Sequence, residues 1–129
     1  MEEINEVATV NYDKMLKSEI SLTLLRIGAP AHIMGFTYLK DVIYIVTRDP
    51  NRMRGVTKNL YPVIAEKYNT TSDAVERTIR SCIKDIYKGG TENFAEFLGV
   101  SRIDPEHIFS NAHFIALVSE KIRINLDML

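Results

Sequence analysis

The sequence predicts an all-α fold: a compact bundle of about six helices that contains a helix-turn-helix. Apolar residues recur with helical spacing along almost the whole chain. No pair of segments shows the alternating pattern and tight turn of a β-hairpin. Glycines and prolines fall between the periodic segments, where they end helices. With 129 residues, one domain is the natural expectation, and we assign residues 1–129 to it.

Glycines and prolines define most of the predicted helix boundaries. We expect a frayed leader over residues 1–11, and Gly28 ends the first helix. Pro50 ends the second, because a residue that precedes proline is pushed out of helical backbone. Pro62 lies in the first turn of the third, where a missing N–H costs little, and Gly89 closes the fourth. The predicted helices span residues 12–27, 36–48, 60–68, 72–87, 92–98 and 111–126.

The third and fourth predicted helices form a helix-turn-helix over about residues 60–88. Many helix pairs share this pattern, so the sharper signal is the composition of the fourth helix. At the helical 100° per residue, its apolar residues fall within roughly 100° and its polar residues within roughly 140° on the opposite side. The apolar set is Val75, Ile79, Cys82, Ile83 and Ile86, and the polar set is Glu76, Arg77, Arg80, Ser81, Lys84 and Lys88.

Two arginines occupy an unusual place on this helix. Arg77 and Arg80 lie in its first half, where the helix dipole disfavours cations. An ordinary solvated face of an amphipathic helix gives no reason to place cations there. A recognition helix uses this half to reach base edges in the major groove. Arginine matches N7 and O6 of guanine, and Glu76 can accept from the N4 amine of cytosine. We therefore expect Glu76, Arg77 and Arg80 to read bases.

The remaining polar residues of this segment suit phosphates and the edges of the groove. Hydroxyl side chains and backbone N–H groups meet at the start of the fourth helix, which favours an anion. Asp73 and Glu76 have the spacing of a capping box at this helix start. The predicted phosphate or groove-edge residues are Thr70, Thr71, Ser72, Ser81, Lys84 and Lys88.

The distribution of charge agrees better with DNA binding than the net charge of −1 does. Residues 40–90 carry ten basic and six acidic side chains. Residues 1–39 carry three basic and five acidic, and residues 91–129 carry three basic and six acidic. A basic block thus lies between two acidic flanks.

Other chemistries have little support. The single cysteine, Cys82, excludes an internal disulfide, and its place on an apolar helix face indicates an inert core thiol. His107 and His113 lack zinc-site spacing. No phosphate loop, dinucleotide fingerprint or serine elbow is present. We expect no metal, no cofactor and no enzymatic activity.

The acidic start lacks signal-peptide character and no apolar run could span a membrane, so a cytoplasmic protein with no membrane partner is expected.

Several motifs in one order carry a family resemblance. They are IGAPAHIMGF at residues 27–36, TKNLYP at 57–62, IAEKYNTT at 64–71, VERTIR at 75–80 and FIALVSEKIR at 114–123. Through them the sequence resembles the C-terminal DNA-binding domain of the stage-zero sporulation protein A family, the response regulators that initiate sporulation. The resemblance covers about residues 20–124 and implies a six-helix domain that binds a short duplex DNA box.

The resemblance also implies partners and marks departures. Family members bind often as tandem head-to-tail pairs, which implies self-association on tandem sites. Glu76, Arg77 and Arg80 match the family's DNA-contacting positions. Ala74 replaces a family arginine and Ser81 a histidine. Residues 93–107 diverge, in the region that in the family approaches the RNA polymerase sigma factor. The family's receiver domain has no counterpart in this sequence.

Two functions therefore remain open at this point. The first is a sequence-specific transcription regulator that binds duplex DNA. The second is an interaction module that regulates a full-length relative or a sigma factor without binding DNA itself. The basic face of the fourth helix favours the first. Ala74 and the divergent residues 93–107 favour the second.

Overall fold

The computed structural model describes the backbone of residues 2–128 and the side chains of residues 6–56 and 58–128. Within these residues the chain forms six α-helices and no β-strand, which confirms the predicted all-α fold. A 3-10 turn and a π turn lie between the second and third helices, at Pro50–Met53 and Val56–Leu60. The helices are α1 Glu2–Arg26, α2 Met34–Arg48, α3 Tyr61–Lys67, α4 Ser72–Lys88, α5 Glu92–Leu98 and α6 Asn111–Asn125.

Helix α2 is the centre of the bundle. It packs against α4 and α6 most extensively, and also against α1. Its inward residues alternate at helical spacing, so one stripe of the helix meets all three neighbours. The fully buried members of that stripe are Leu39, Val42, Ile43 and Val46. None of the helices within residues 2–128 is both long and apolar enough to cross a membrane.

Helix α1 begins far earlier than the sequence analysis predicts. The helix runs from Glu2 rather than from residue 12, so the predicted frayed leader over residues 1–11 is wrong for residues 2–11. Met1 lies outside the described residues. The segment contains no glycine or proline that would stop a helix, and its acidic residues suit the positive end of the helix dipole. The hydrophobic pattern of the core face starts only at Leu16, which is why the helix start was placed too late.

The connection from α2 to α3 contains two short helical turns. Asp49 follows α2, and its carboxylate accepts a hydrogen bond from the backbone N–H of Asn51 at 3.2 Å. Gly55 then adopts a left-handed conformation, with φ of 66°, and opens the π turn that leads into α3. Pro62 occupies the first turn of α3, as predicted. This connection fixes the first helix of the helix-turn-helix relative to α2.

Candidate nucleic-acid interface

The turn between α3 and α4 is built by two local signals in the sequence. Asn69 takes up a left-handed backbone with φ of 53°, a conformation that asparagine tolerates better than most residues. The backbone N–H of Thr70 donates to the carbonyl of Ala65 at 2.9 Å, and that of Asn69 donates to Glu66 at 3.3 Å. These bonds close the last turn of α3 and turn the chain sharply. The predicted helix-turn-helix is therefore present as a continuous structural unit.

Thr71 starts α4. Its Oγ1 accepts a hydrogen bond from the backbone N–H of Ala74 at 3.1 Å, so Thr71 is the N-cap. The predicted capping box between Asp73 and Glu76 is wrong, because Asp73 lies inside the first turn. Its charge still suits the helix start through the dipole.

The apolar side of α4 is buried completely. The predicted apolar residues Val75, Ile79, Cys82, Ile83 and Ile86 all have no exposed surface. This stripe packs on α2 and α3. Any rotation of α4 about its axis, or any movement away from α3, would expose this apolar stripe. The opposite face of α4 therefore points outward.

A glycine lets α2 approach α4 closely. A Cβ atom built on Gly35 would lie 2.7 Å from the Cβ of Cys82 and 2.8 Å from the carbonyl oxygen of Thr78. Both distances are below van der Waals contact, and one of the atoms is backbone. Only glycine therefore fits at this crossing, which sets the distance of α4 from the core.

The structure places the predicted base-reading and groove-edge residues of α4 on one outward face. Arg77 and Arg80 are exposed, and Glu76 is half-buried beside them. At the N-terminal end of the helix Thr71 is exposed, whereas Thr70 and Ser72 are half-buried. The remaining exposed residues of the face are Ser81, Lys84 and Lys88.

Carboxylates on the same helix contact some of these cations. The guanidinium of Arg80 lies 2.6 Å from Glu76 Oε1, one turn earlier. Lys88 Nζ lies 3.9 Å from Asp85. Arg77 Nε donates to the backbone carbonyl of Asp73 at 3.4 Å. Glu76 and Arg80 thus form one unit, which the sequence analysis had treated as two separate readers.

Asn111, at the start of α6, is a part of this region that the sequence analysis missed. Its Nδ2 donates to the backbone carbonyl of Glu76 at 2.9 Å, and the residue is almost fully buried. The bond ties the first half of α4 to α6. Its partners are 35 positions apart, so no local pattern could have indicated it. A surface cleft of about 380 Å³ lies beside this bond, lined among others by Tyr61, Arg80 and Lys84.

A second cleft lies at the two positions where the sequence departs from the family pattern. It has a volume of about 320 Å³ and lies between Ile33 and the exposed face of α4. Ala74 and Ser81 line it together with Arg77. These are the two positions where the resemblance implies an arginine and a histidine. Their small side chains leave open space beside a predicted base-reading arginine.

Several cations of the basic block face carboxylates elsewhere in the molecule. Arg48 pairs with Asp13 of α1. Lys67 lies 3.0 Å from Asp41, and this hydrogen bond raises the pKa of the lysine. Part of the positive charge between residues 40 and 90 is therefore neutralised within the fold, outside α4 as well as on it.

The candidates for other chemistry are placed apart. Cys82 is fully buried, and burial raises the pKa of its thiol to about 12. The thiol therefore stays protonated at neutral pH. The rings of His107 and His113 both lie against Phe109, with centroids 6.5 Å and 4.5 Å from it. In the part of the chain that the structure describes, no three histidine, cysteine or acidic residues group as metal ligands would.

Comparison with known protein families agrees with this geometry. The family model described as "Sporulation initiation factor Spo0A C terminal" matches residues 20–122. The match spans α2 to α5 completely, the C-terminal end of α1 from Ile20 and most of α6, and it includes the whole helix-turn-helix. An all-α domain with a helix-turn-helix that presents a basic face is the structure expected of a DNA-binding effector domain. The chain belongs to the family of Spo0A C-terminal domains, the DNA-binding domains of sporulation regulators.

Proposed function

We propose that this protein is a transcription regulator that binds duplex DNA in a sequence-specific manner, with α4 as the recognition helix in the major groove. The observation that carries the proposal is the outward face of α4. Its opposite face is fully buried, and the outward face holds two exposed arginines, Arg77 in the first half of the helix and Arg80 at its midpoint. That half is the part of a recognition helix that reaches base edges.

Arg77 and Arg80 are the proposed base readers. Each can donate two hydrogen bonds to N7 and O6 of a guanine, a contact that discriminates against other bases by about 1–3 kcal/mol. Glu76 is proposed to accept from the N4 amine of a cytosine with one oxygen while it contacts Arg80 with the other. The pairing supports this sharing, because a carboxylate has several acceptor positions.

Phosphate contacts are proposed for both ends of α4. Thr70, Thr71 and Ser72 lie at the helix start, where hydroxyl groups and the helix dipole favour a phosphate. Ser81, Lys84 and Lys88 lie further along the same face, where they can meet the backbone at the edge of the groove. These contacts position the helix and carry no sequence information.

Alanine variants of α4 test the proposal. We expect Arg77→Ala and Arg80→Ala each to weaken binding to the preferred duplex by about 1–3 kcal/mol and to relax the base preference at one position. Lys84→Ala and Lys88→Ala should weaken binding to every duplex alike and lower the salt slope by about one each. Fluorescence anisotropy against duplexes with single base-pair changes measures both effects.

A matched control lies on the same helix. Asp85 is half-buried on α4 outside the predicted reading face, and Asp85→Asn should leave base preference unchanged. If all four cation variants lose affinity equally for every duplex, the helix does not read bases and the major-groove proposal is wrong.

A protein-binding role is the second candidate, and one observation favours it. An apolar groove of about 480 Å³ runs between the segment after α5 and helix α6, lined among others by Val100, Leu117 and Ile124. It borders the divergent residues 93–107, in the region that the resemblance relates to the RNA polymerase sigma factor. Val100→Glu should then abolish capture of sigma factor and spare DNA affinity. An unchanged capture would remove this candidate.

A further inference from the structure

Helix α1 carries a second apolar stripe on the side that faces away from the core. Its core side holds Leu16, Ile20 and Leu24, which are fully buried. On the helical projection the second stripe lies about 165° away. Met15, Leu22 and Leu25 on that stripe are exposed by 45%, 61% and 49%. Large apolar side chains thus face solvent between residues 15 and 25 of α1.

The first half of α1 extends beyond the body of the domain. Residues 6–12 are exposed on every side of the helix, and burial begins in earnest only at Leu16. A helical segment as short as this extension is marginal in water when nothing packs against it. Both the extension and the exposed stripe would be explained by a helical partner along the outer side of α1.

We propose that α1 pairs in parallel with α1 of a second copy of this chain, as a short two-stranded coiled coil. The outer stripe follows a heptad repeat, with alternating spacings of four and three residues that keep one seam facing a partner helix. The inner positions of this seam are Ala8, Asn11, Met15, Ser18, Leu22 and Leu25. The core of each domain lies on the far side of α1 and does not obstruct the pairing.

The residues that flank the seam identify a second copy in parallel orientation as the occupant. In a parallel pair, the residue that precedes Ala8, Met15 or Leu22 in the sequence faces the residue five positions later on the partner helix. Lys14 then faces Glu19 of the other copy, twice by symmetry. Val7 faces Tyr12, which covers two further side chains exposed by 60% and 39%. In an antiparallel pair the residues that precede Ala8, Met15 and Leu22 face one another instead, so the contact between Lys14 and Glu19 is lost.

Polar residues within the seam limit the strength of the pairing. Asn11 and Ser18 occupy inner positions, and polar side chains there lower stability while they favour one register. We therefore expect a dimer that dissociates on dilution. The proposed contact is two-fold symmetric and does not involve α4, so it differs from a head-to-tail contact between tandem boxes and stands independently of the DNA-binding proposal.

Sedimentation equilibrium over a concentration series tests the pairing. The mass of the wild-type protein should rise from 14.7 kDa towards twice that value. Leu22→Glu should keep the protein monomeric at the same concentrations. Ile124→Glu is the matched control, because Ile124 is an exposed aliphatic residue of α6, 49% exposed, and should leave the dimer intact.

Two further variants test the orientation. Lys14→Glu should weaken the dimer, and the double variant Lys14→Glu/Glu19→Lys should restore it. Ser18→Cys should form a disulfide-linked dimer under mild oxidation, since a parallel pair sets Ser18 against its own copy, and the native Cys82 is buried. If Ser18→Cys fails to cross-link to itself while Met15→Cys cross-links to Ser18→Cys in a mixture, the pairing is antiparallel and the parallel arrangement is refuted.

A wild-type protein that stays at 14.7 kDa at every concentration overturns the pairing, and so does a dimer that Leu22→Glu leaves intact. Circular dichroism of Leu22→Glu should show the wild-type helix content of the domain body. Its affinity for a duplex with a single box should also match the wild type. A monomeric protein that still binds DNA would overturn the pairing and leave the proposed function intact. A dimer that does not bind DNA would do the opposite.

Discussion

At the scale of single residues, Arg80 already has an acidic partner on its own helix. Its guanidinium lies 2.6 Å from Glu76, and the backbone of Glu76 is held by Asn111 of α6. The exposed pair adds little to folding stability, because exposed ion pairs contribute less than about 1 kcal/mol. Its effect is on geometry: it directs Arg80 along one side of the outward face of α4.

This contact predicts that Glu76 and Arg80 act together on DNA. The losses of affinity in Glu76→Ala and Arg80→Ala should not add in the double variant, because residues in contact show coupling energies of about 0.5–3 kcal/mol. A double-mutant cycle measured by anisotropy on one duplex gives the coupling. The same cycle on Arg77 and Lys88 serves as the control, since these two sit three turns apart on the helix. Strict additivity for Glu76 and Arg80 would mean that each acts on its own base.

Cys82 should be chemically silent in the folded protein. The buried thiol, with its pKa raised to about 12, is almost entirely protonated at pH 8, and thiol reagents react with the thiolate. We expect a thiol-reactive chromophore to label the native protein orders of magnitude more slowly than the protein in denaturant. Equal rates in both conditions would show that Cys82 is accessible, against its assigned place between α2 and α4.

The buried and the exposed residues of α4 could be told apart from the sequence because a helix repeats at a fixed angle. That angle alone assigned Ile79 and Cys82 to the core and Arg77 to the outer face. The contact from Asn111 to Glu76 could not be predicted, since it depends on how α6 returns across α4. The pairing of Glu76 with Arg80 is predictable from their spacing of four residues, which sets two side chains one turn apart on the same helix face.

At the scale of elements, the crossing of α2 and α4 depends on Gly35. Gly35→Ala would place a methyl group 2.7 Å from Cys82 and 2.8 Å from a backbone oxygen. We expect the free energy of unfolding to fall by about 1–3 kcal/mol, the usual cost of overpacking a tight core contact. Denaturant titration followed by circular dichroism measures the change.

Gly89 offers the matched control for this substitution. A Cβ atom there would meet nothing closer than 3.8 Å, and its backbone has a right-handed helical conformation. Gly89→Ala should therefore change the free energy of unfolding little. If Gly35→Ala is as harmless as Gly89→Ala, α2 and α4 can separate without cost and the position of α4 is not fixed by this crossing.

Helix boundaries were predictable where glycine, proline or a cap stands in the sequence. Such signals placed both ends of α5 and the start of α4 correctly. They failed at α1, because nothing in residues 2–11 breaks a helix and the core pattern begins later. The π turn at Val56–Leu60 was not predicted either, since its start depends on the left-handed backbone of Gly55 and on packing against α3.

At the scale of the whole molecule, the distribution of charge decides the preference for DNA. The net charge is −1, yet the basic block between residues 40 and 90 contains α4. Internal pairs such as Lys67 with Asp41 neutralise part of that block. DNA binding must therefore come from a local face rather than from general attraction. Binding of this kind is strongly dependent on salt and on the DNA sequence.

The measurement that tests the central claim most directly is a titration of the protein against a duplex that carries the family's DNA box, beside a scrambled duplex, at two salt concentrations. The account predicts tighter binding to the box, with an affinity that falls steeply as salt rises, because several phosphates are contacted. Weak binding without preference, and with a shallow dependence on salt, would contradict it. Selection from a random duplex pool would then show whether Ala74 and Ser81 have changed the box or whether α4 does not read DNA.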